Sequence, residues 1–170
     1  IELDLAESWR QIDDLTYEFK LRKGVYWQDV PPVNGRECTS ADVKYSIERM
    51  AGMHGTKSKF KHTYYFDKLA SIETPDKYTI IFKTSEPYAP FINYIASTWS
   101  RIVPKEAVDA FGTLDLKGIG TGPFILVEHV RGSHMTFKRN GNFFKEGLPR
   151  LDGLSIKFMP QPATNLAAFL

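Results

Sequence analysis

The stretch Gly118–Asp152, GIGTGPFILVEHVRGSHMTFKRNGNFFKEGLPRLD, constrains this chain more than any other. Pro123 fixes φ where a strand begins, and Phe124–Val130 follows as an unbroken run of strand-forming residues. Gly120 and Gly122 are expected to supply the positive φ that a tight entry turn demands. Gly132-Ser133 falls where a hairpin must reverse, and Met135–Arg139 returns. Asn140, Asn142, Phe143-Phe144, Gly147-Leu148-Pro149 and Leu151-Asp152-Gly153 then form a compact loop into a third strand, Leu154–Phe158. A glycine at every second position also suggests a phosphate cradle. Such a cradle must open a helix whose N-terminus holds the anion, but here proline and a β-branched run follow, without Gly-Lys-Ser/Thr. The run reads as a structural turn.

The N-terminal half shows the same alternation of hairpins and breaks. Leu5–Trp9 leads into a strand, Asp13-Asp14 marks a turn, and Tyr17–Leu21 alternates apolar with polar, predicting a hairpin over Glu7–Leu21. Lys23–Trp27 follows with a glycine break, and Pro31-Pro32-Val33-Asn34-Gly35 predicts a long loop. Thr39 with Asp42 three residues on is a capping box, and Val43, Ile47 and Met50 fall at i, i+4 and i+7. These predict a helix over Ala41–Met50, ended by Gly52 and Gly55. Residues 53–66 are basic and aromatic without a period, hence a loop or a short helix. Leu69–Lys83 predicts a second hairpin turning at Thr74–Lys77. Glu86–Pro90 starts a helix through Phe91, Ile92 and Ile95. Arg101–Val103 reads as a brief strand, and Pro104 starts a helix over Lys105–Phe111. Pro162–Leu170 begins another helix.

Net charge is +2 in 170 residues with both signs mixed along the chain, so neither nucleic acid nor a membrane surface finds its electrostatic footprint. No apolar run approaches the ~20 residues that span a bilayer. Cys38 is the only cysteine, which leaves no internal disulfide. His54, His62, His129 and His134 lack H-x-x-x-H spacing and a cysteine partner, so a closed zinc site is not expected; scattered ligands brought together by folding stay open. Ser133-His134 has no evident Asp partner or elbow motif, and neighbours on a strand face opposite ways, so the pair reads as a turn rather than a nucleophile and its base. No cofactor is expected. The start at Ile1-Glu2-Leu3-Asp4 and the stop within Leu166–Leu170 read as a piece of a longer protein. Aromatics reach 14%, and two patches stand out: Phe60, Tyr64, Tyr65 and Phe66, and Trp99 in a polar loop. Core packing and ligand stacking are both open for them.

Taken in order, LAESW, FKLRKGV, TSADVKYSIER, IVPKEAV, GTGPF and Arg139-Asn140 resemble the family 5 extracellular solute-binding proteins of ABC transporters, whose members bind peptides and nickel. The chain departs from the family pattern at Gly141, where proline is usual, and at Phe143-Phe144, where Tyr-Trp is usual. The resemblance spans essentially the whole chain. It implies an α+β fragment of a periplasmic-binding-protein type II-like fold, with residues 1–103 as a small extra domain and residues 104–170 as the beginning of the first lobe. It implies a binding protein rather than an enzyme, located in the periplasm or at the cell surface. Such a protein captures a small solute, a peptide above all, and hands it to ABC permease subunits; a ligand-sensing receptor domain is the alternative. Family members take ligand contacts from the segment after the TSADV-type helix and from the loop before IVPK. These contacts correspond here to Phe60, Tyr64 and Tyr65, and to Thr98 and Trp99. A truncated piece is also expected to self-associate through apolar surface left uncovered.

Overall fold

The computed structural model describes residues 3–53, 60–112, 114 and 117–159. Strands β1 (Ala6–Asp13), β2 (Thr16–Leu21), β3 (Leu69–Asp76) and β4 (Thr79–Thr84) form an antiparallel sheet in the order β1-β2-β4-β3. Strands β5 (Phe124–Val130), β6 (His134–Arg139) and β7 (Gly153–Lys157) form a second antiparallel sheet in chain order. Helices α1 (Ser40–Ala51), α2 (Phe91–Ile95) and α3 (Lys105–Phe111) and a 3-10 turn over Thr63–Phe66 complete the described structure. All three expected hairpins form, and this is an α+β fold. Among the described residues no helix is long and apolar enough to cross a membrane.

The first core follows from the period-two pattern. Tyr17, Phe19 and Leu21 point inward from β2, opposite Phe82 and Ile80 of β4, and Ile72 of β3 sits beside Phe82. Over them lies the predicted stripe of α1, with Val43, Ile47 and Met50 all buried. The helix starts where its capping box says it should: Thr39 is extended, and its N–H donates to the Asp42 carboxylate at 2.9 Å. It ends at Gly52, whose φ of 70° is the left-handed cap that glycine adopts without a Cβ penalty. Tyr65, Phe66 and Phe91 close the end of this core.

A second core joins Val25, Trp27, Val33 and Cys38 to Ala107 and Ile119, so residues on both sides of position 103 contribute to it. Burial pushes the Cys38 thiol up to about 12, which keeps it protonated and unreactive. Buried Gln28 ties the loop before α1 to the glycine turn. Its Nε2 donates to the Phe124 carbonyl at 2.7 Å, and its backbone N–H donates to the Gly120 carbonyl at 3.0 Å. Asn140, also buried, donates through Nδ2 to the Gly122 carbonyl at 2.9 Å.

Several expectations need correction. Neither Gly120 nor Gly122 adopts a positive φ; what they supply is exposed backbone, bonded to Gln28 and Asn140. The left-handed positions in this stretch are Gly132, φ 74°, at the hairpin reversal, and Gly147, φ 72°, in the loop before β7. Gly153 is required for a different reason, because a Cβ there would meet the Phe137 carbonyl oxygen at 2.5 Å. Thr74-Pro75 does not turn but continues β3, with a register irregularity between Glu73 and Asp76; an edge strand tolerates proline because its N–H is not needed. Arg101–Val103 forms no strand. Val103 instead donates its N–H to Ser46 Oγ at 2.9 Å, a side chain standing in for a strand partner. Glu86–Pro90 precedes the helix rather than starting it, and the 53–66 tract contains the Thr63–Phe66 turn. Gly55, His54 and Pro162–Leu170 lie outside the described residues.

Arg36 locks the two cores together. Its Nε and one terminal nitrogen donate to Glu106 of α3 at 2.6 and 2.7 Å, and its terminal nitrogens reach Asp42 of α1 at 2.9 and 2.6 Å. The Asp42 side chain is only 5% exposed, so losing its cation strands a carboxylate that water cannot reach. Arg36→Met is therefore expected to cost ~2 kcal/mol or more in urea unfolding, whereas Glu106→Gln, at a half-exposed position, costs less than ~1 kcal/mol. Equal losses would contradict this ranking. Arg36 also holds the Glu106 carboxyl below the usual range. A depressed folded-state pKa contributes stability above the unfolded value of ~4.3, and that stability is lost as pH falls through the folded value. Glu106→Gln should accordingly lower stability by less than ~1 kcal/mol at neutral pH, and that deficit should vanish as pH falls below about 4.5, flattening the acid limb of the stability curve.

Candidate functional site

The 3-10 turn at Thr63–Phe66 follows α1 because Tyr65 and Phe66 are pulled into the first core, 8% and 4% exposed, which leaves Tyr64, just before them, facing out. The short helix α2 is pinned the same way. Phe91 is fully buried, and Tyr94, one turn on, stacks on Tyr65 with ring centroids 4.2 Å apart and planes 5° from parallel. Next comes the Ser97–Arg101 loop. Ser97 N–H and Ser100 Oγ both donate to the Tyr94 carbonyl, at 3.2 and 2.6 Å, tying the loop to the end of α2. At its other end, Val103 is held by Ser46 of α1.

These constraints place Trp99, 58% exposed, beside the 3-10 turn. His62 lies at the centre of the assembly. Its ring is 5.2 Å from Trp99, 5.1 Å from Tyr65 in a near-parallel stack, 5.7 Å from Phe60 and 5.8 Å from Tyr64. Nδ1 of His62 is 3.4 Å from the Tyr64 hydroxyl. Tyr64 also meets Tyr65 and Tyr94 edge-on, and the Tyr88 hydroxyl donates to the Tyr64 carbonyl at 3.3 Å. Loss of surrounding water, and then the neighbouring phenols, hold the Tyr64 and Tyr88 phenols above their ordinary value. Both are neutral hydrogen-bonding groups at physiological pH.

Of the five residues singled out in the sequence, Phe60, Tyr64, Tyr65 and Trp99 come together in this cluster. Thr98 is exposed and contributes its carbonyl, which accepts from Arg101 Nε at 3.0 Å. Sequence reading missed His62 and Tyr94. His62 sits in the same aromatic tract, and Tyr94 lies three residues after a core phenylalanine; only the fold shows that the two meet.

A cavity of about 820 Å³ opens on the other side of the loop. It is lined by residues of both sheets, among them Trp9, Phe19, Leu126 and Phe137, by α1 and α2, and by Arg101 and the Gly118–Gly122 turn. None of Phe60, Tyr64, Tyr65, Thr98 and Trp99 lines it. The cavity is large enough for a solute, but Gln28, one of its polar groups, is already committed to Gly120 and Phe124. The aromatic cluster offers more fixed recognition geometry.

The Ser133-His134 pair is also corrected. Ser133 belongs to the turn, so strand alternation does not separate it from its neighbour, and its Oγ lies 3.0 Å from His134 Nδ1. Glu128, diagonal to His134 across β5 and β6, reaches His134 Nε2 at 3.0 Å. A Ser-His-Glu chain therefore exists. It stands exposed on a hairpin, and Ser133 N–H is bonded to the Val130 carbonyl rather than aimed at an oxyanion. Among the described residues no group of three or more His, Cys, Asp or Glu side chains is placed to hold a metal ion.

With this geometry in hand, the chain can be set beside known proteins. The family profile described as Bacterial extracellular solute-binding proteins, family 5 Middle, matches residues 1–170. The chain belongs to this family. The dipeptide-binding protein of Escherichia coli (strain K12) is 31% identical over 179 aligned residues, covering 96% of this chain and 33% of the relative. Heme-binding protein A of Haemophilus influenzae is likewise 31% identical, covering 98% of this chain and 33% of its own length. Among solved structures, the ABC transporter-associated periplasmic binding protein DppA from Helicobacter pylori in complex with the peptide STSA superposes with a TM-score of 0.82. It is 29% identical, over 98% of this chain and 36% of that one. This chain thus spans about a third of the length of the proteins it matches, and over that third it has the fold of the solved ones.

Burial separates the roles within the cluster. Tyr65→Ala removes a buried, doubly stacked ring and is expected to cost about 3 kcal/mol. Trp99→Ala removes a mostly exposed one and should stay within about 1 kcal/mol, both read from thermal or urea unfolding. A Trp99 variant as damaging as the Tyr65 variant would make Trp99 a core residue.

Proposed function

We propose that this chain is part of an exported binding protein, periplasmic or held at the cell surface, that captures a small peptide and delivers it to ABC permease subunits. The observation that carries the reading is the match of the whole chain to a solute-binding family, together with relatives that bind a dipeptide and the peptide STSA. The residues proposed to touch the solute are Phe60, Tyr64, Tyr65, Thr98 and Trp99, now with His62. Their support is geometric: the exposed Tyr64 ring packs edge-on against the Tyr65–Tyr94 stack and the exposed Trp99 ring against His62, which itself stacks on Tyr65, so contact area is available at little further ordering cost. In this reading residues 1–103 supply a small extra domain and residues 104–170 the beginning of the first lobe, joined by the Arg36–Glu106 pair.

Solute-binding proteins bury most of a small ligand between two walls, typically 70–90% of its surface. This chain supplies one. Calorimetric titration of the natural full-length polypeptide with di- and tripeptides should give saturable binding, and the 170-residue chain alone should bind about a thousandfold more weakly, as expected if the missing wall contributes ~4 kcal/mol. The isolated chain should also self-associate in sedimentation runs through the walls of the open cavity. Equal affinity of the two forms would mean that the site is complete within this chain.

A further inference from the structure

We propose that the cluster recognises a flat conjugated ring on the solute, laid against Trp99 and Tyr64, while Arg101 takes a carboxylate of the same solute. This inference rests on the solute-capture reading and specifies its chemistry. Two exposed rings flank the His62 imidazole, at 5.2 and 5.8 Å; the imidazole stacks on Tyr65, Tyr64 meets Tyr65 and Tyr94 edge-on, and Tyr65 stacks on Tyr94. A surface of this kind, built from planar groups whose positions are set by a buried core, favours a planar guest because offset stacking uses the whole face. A cationic guest would also suit aromatic faces. It is disfavoured here because Arg101 stands in the same loop as Trp99 and would repel it. The Arg101 backbone N–H donates to the Trp99 carbonyl at 3.0 Å, and its Nε donates to the Thr98 carbonyl. The guanidinium is thus fixed by one edge, and among the described residues it forms no ion pair with Asp or Glu. An oriented, unpaired guanidinium is suited to a carboxylate. The loop turns Trp99 to the ring cluster and Arg101 to the cavity, so a solute carrying a ring and a carboxylate straddles it.

The ring could come from an aromatic side chain of a peptide or from a free planar acid such as a porphyrin, and the test separates the two. The natural full-length protein is titrated with Ala-Trp, Ala-Trp amide, Ala-Ala and haemin, as wild type and as Trp99→Ala, Trp99→Phe and Arg101→Gln. Ala-Trp should bind about tenfold tighter than Ala-Ala. Trp99→Ala should erase that gap while Trp99→Phe keeps most of it. Wild type should prefer Ala-Trp to its amide, and Arg101→Gln should not. Haemin binding that is lost in Trp99→Ala, with no binding of any dipeptide, would sustain the ring site and overturn the peptide reading. Equal affinity for Ala-Trp and Ala-Ala, unaffected by Trp99→Ala, would overturn the ring site and leave peptide capture standing. Binding of none of the four probes would overturn both. Thermal unfolding of each variant shows that it is folded before its affinity is compared.

Discussion

Arg36 is the residue through which the rest of the structure is positioned. Its planar guanidinium makes two forked pairs at once, to Asp42 at the start of α1 and to Glu106 in the first turn of α3. Asp42 already closes the capping box of α1, so a single carboxylate sets where the helix begins and which loop it faces. One turn later, Ser46 holds Val103, and Val103 ends the segment that carries Trp99. From Glu106 the path runs through Ala107 into the second core, to Ile119, and so to the glycine turn clamped by Gln28. The Trp99 loop and the glycine turn at the cavity wall are thus both tied back to the Arg36 network, one through Ser46 on the same face of α1 as Asp42 and the other through α3.

Elements governed by local rules could be read from the sequence, and those governed by tertiary contact could not. The capping box, the Val43-Ile47-Met50 stripe and the three hairpins follow from periods and turn residues, which the chain carries wherever it goes. The Arg101–Val103 segment has strand composition, yet its Val103 N–H is satisfied by a serine from a distant helix. Gly120 and Gly122 resembled left-handed turn glycines; their work is hydrogen bonding to Gln28 and Asn140, residues 92 and 18 positions away. Glu128 joining Ser133 and His134 depends on the cross-strand diagonal, which needs the register and not only the residue types.

The candidate site shows the same division. Phe60, Tyr64, Tyr65, Thr98 and Trp99 were reached through resemblance to a family, and four of them do meet. That Trp99 is an open ring and Tyr65 a buried one was not legible, because both are aromatic residues in polar surroundings. Packing sorts them: the 3-10 turn sends Tyr65 inward and Tyr64 outward, and the serine ties on the Tyr94 carbonyl hold the Trp99 loop against His62. The result is a rigid base with an exposed face, the arrangement in which stacking adds affinity without first having to order the protein.

The central claim is that solute contacts the Trp99 side of the Ser97–Arg101 loop. A crystal structure of the natural full-length protein with its captured solute tests this most directly. The prediction is a ligand packed against Trp99 and Tyr64 and reaching Arg101, with Trp99 no longer open to solvent. A ligand seated wholly between the apolar faces of the two sheets, with Trp99 still exposed, would contradict it.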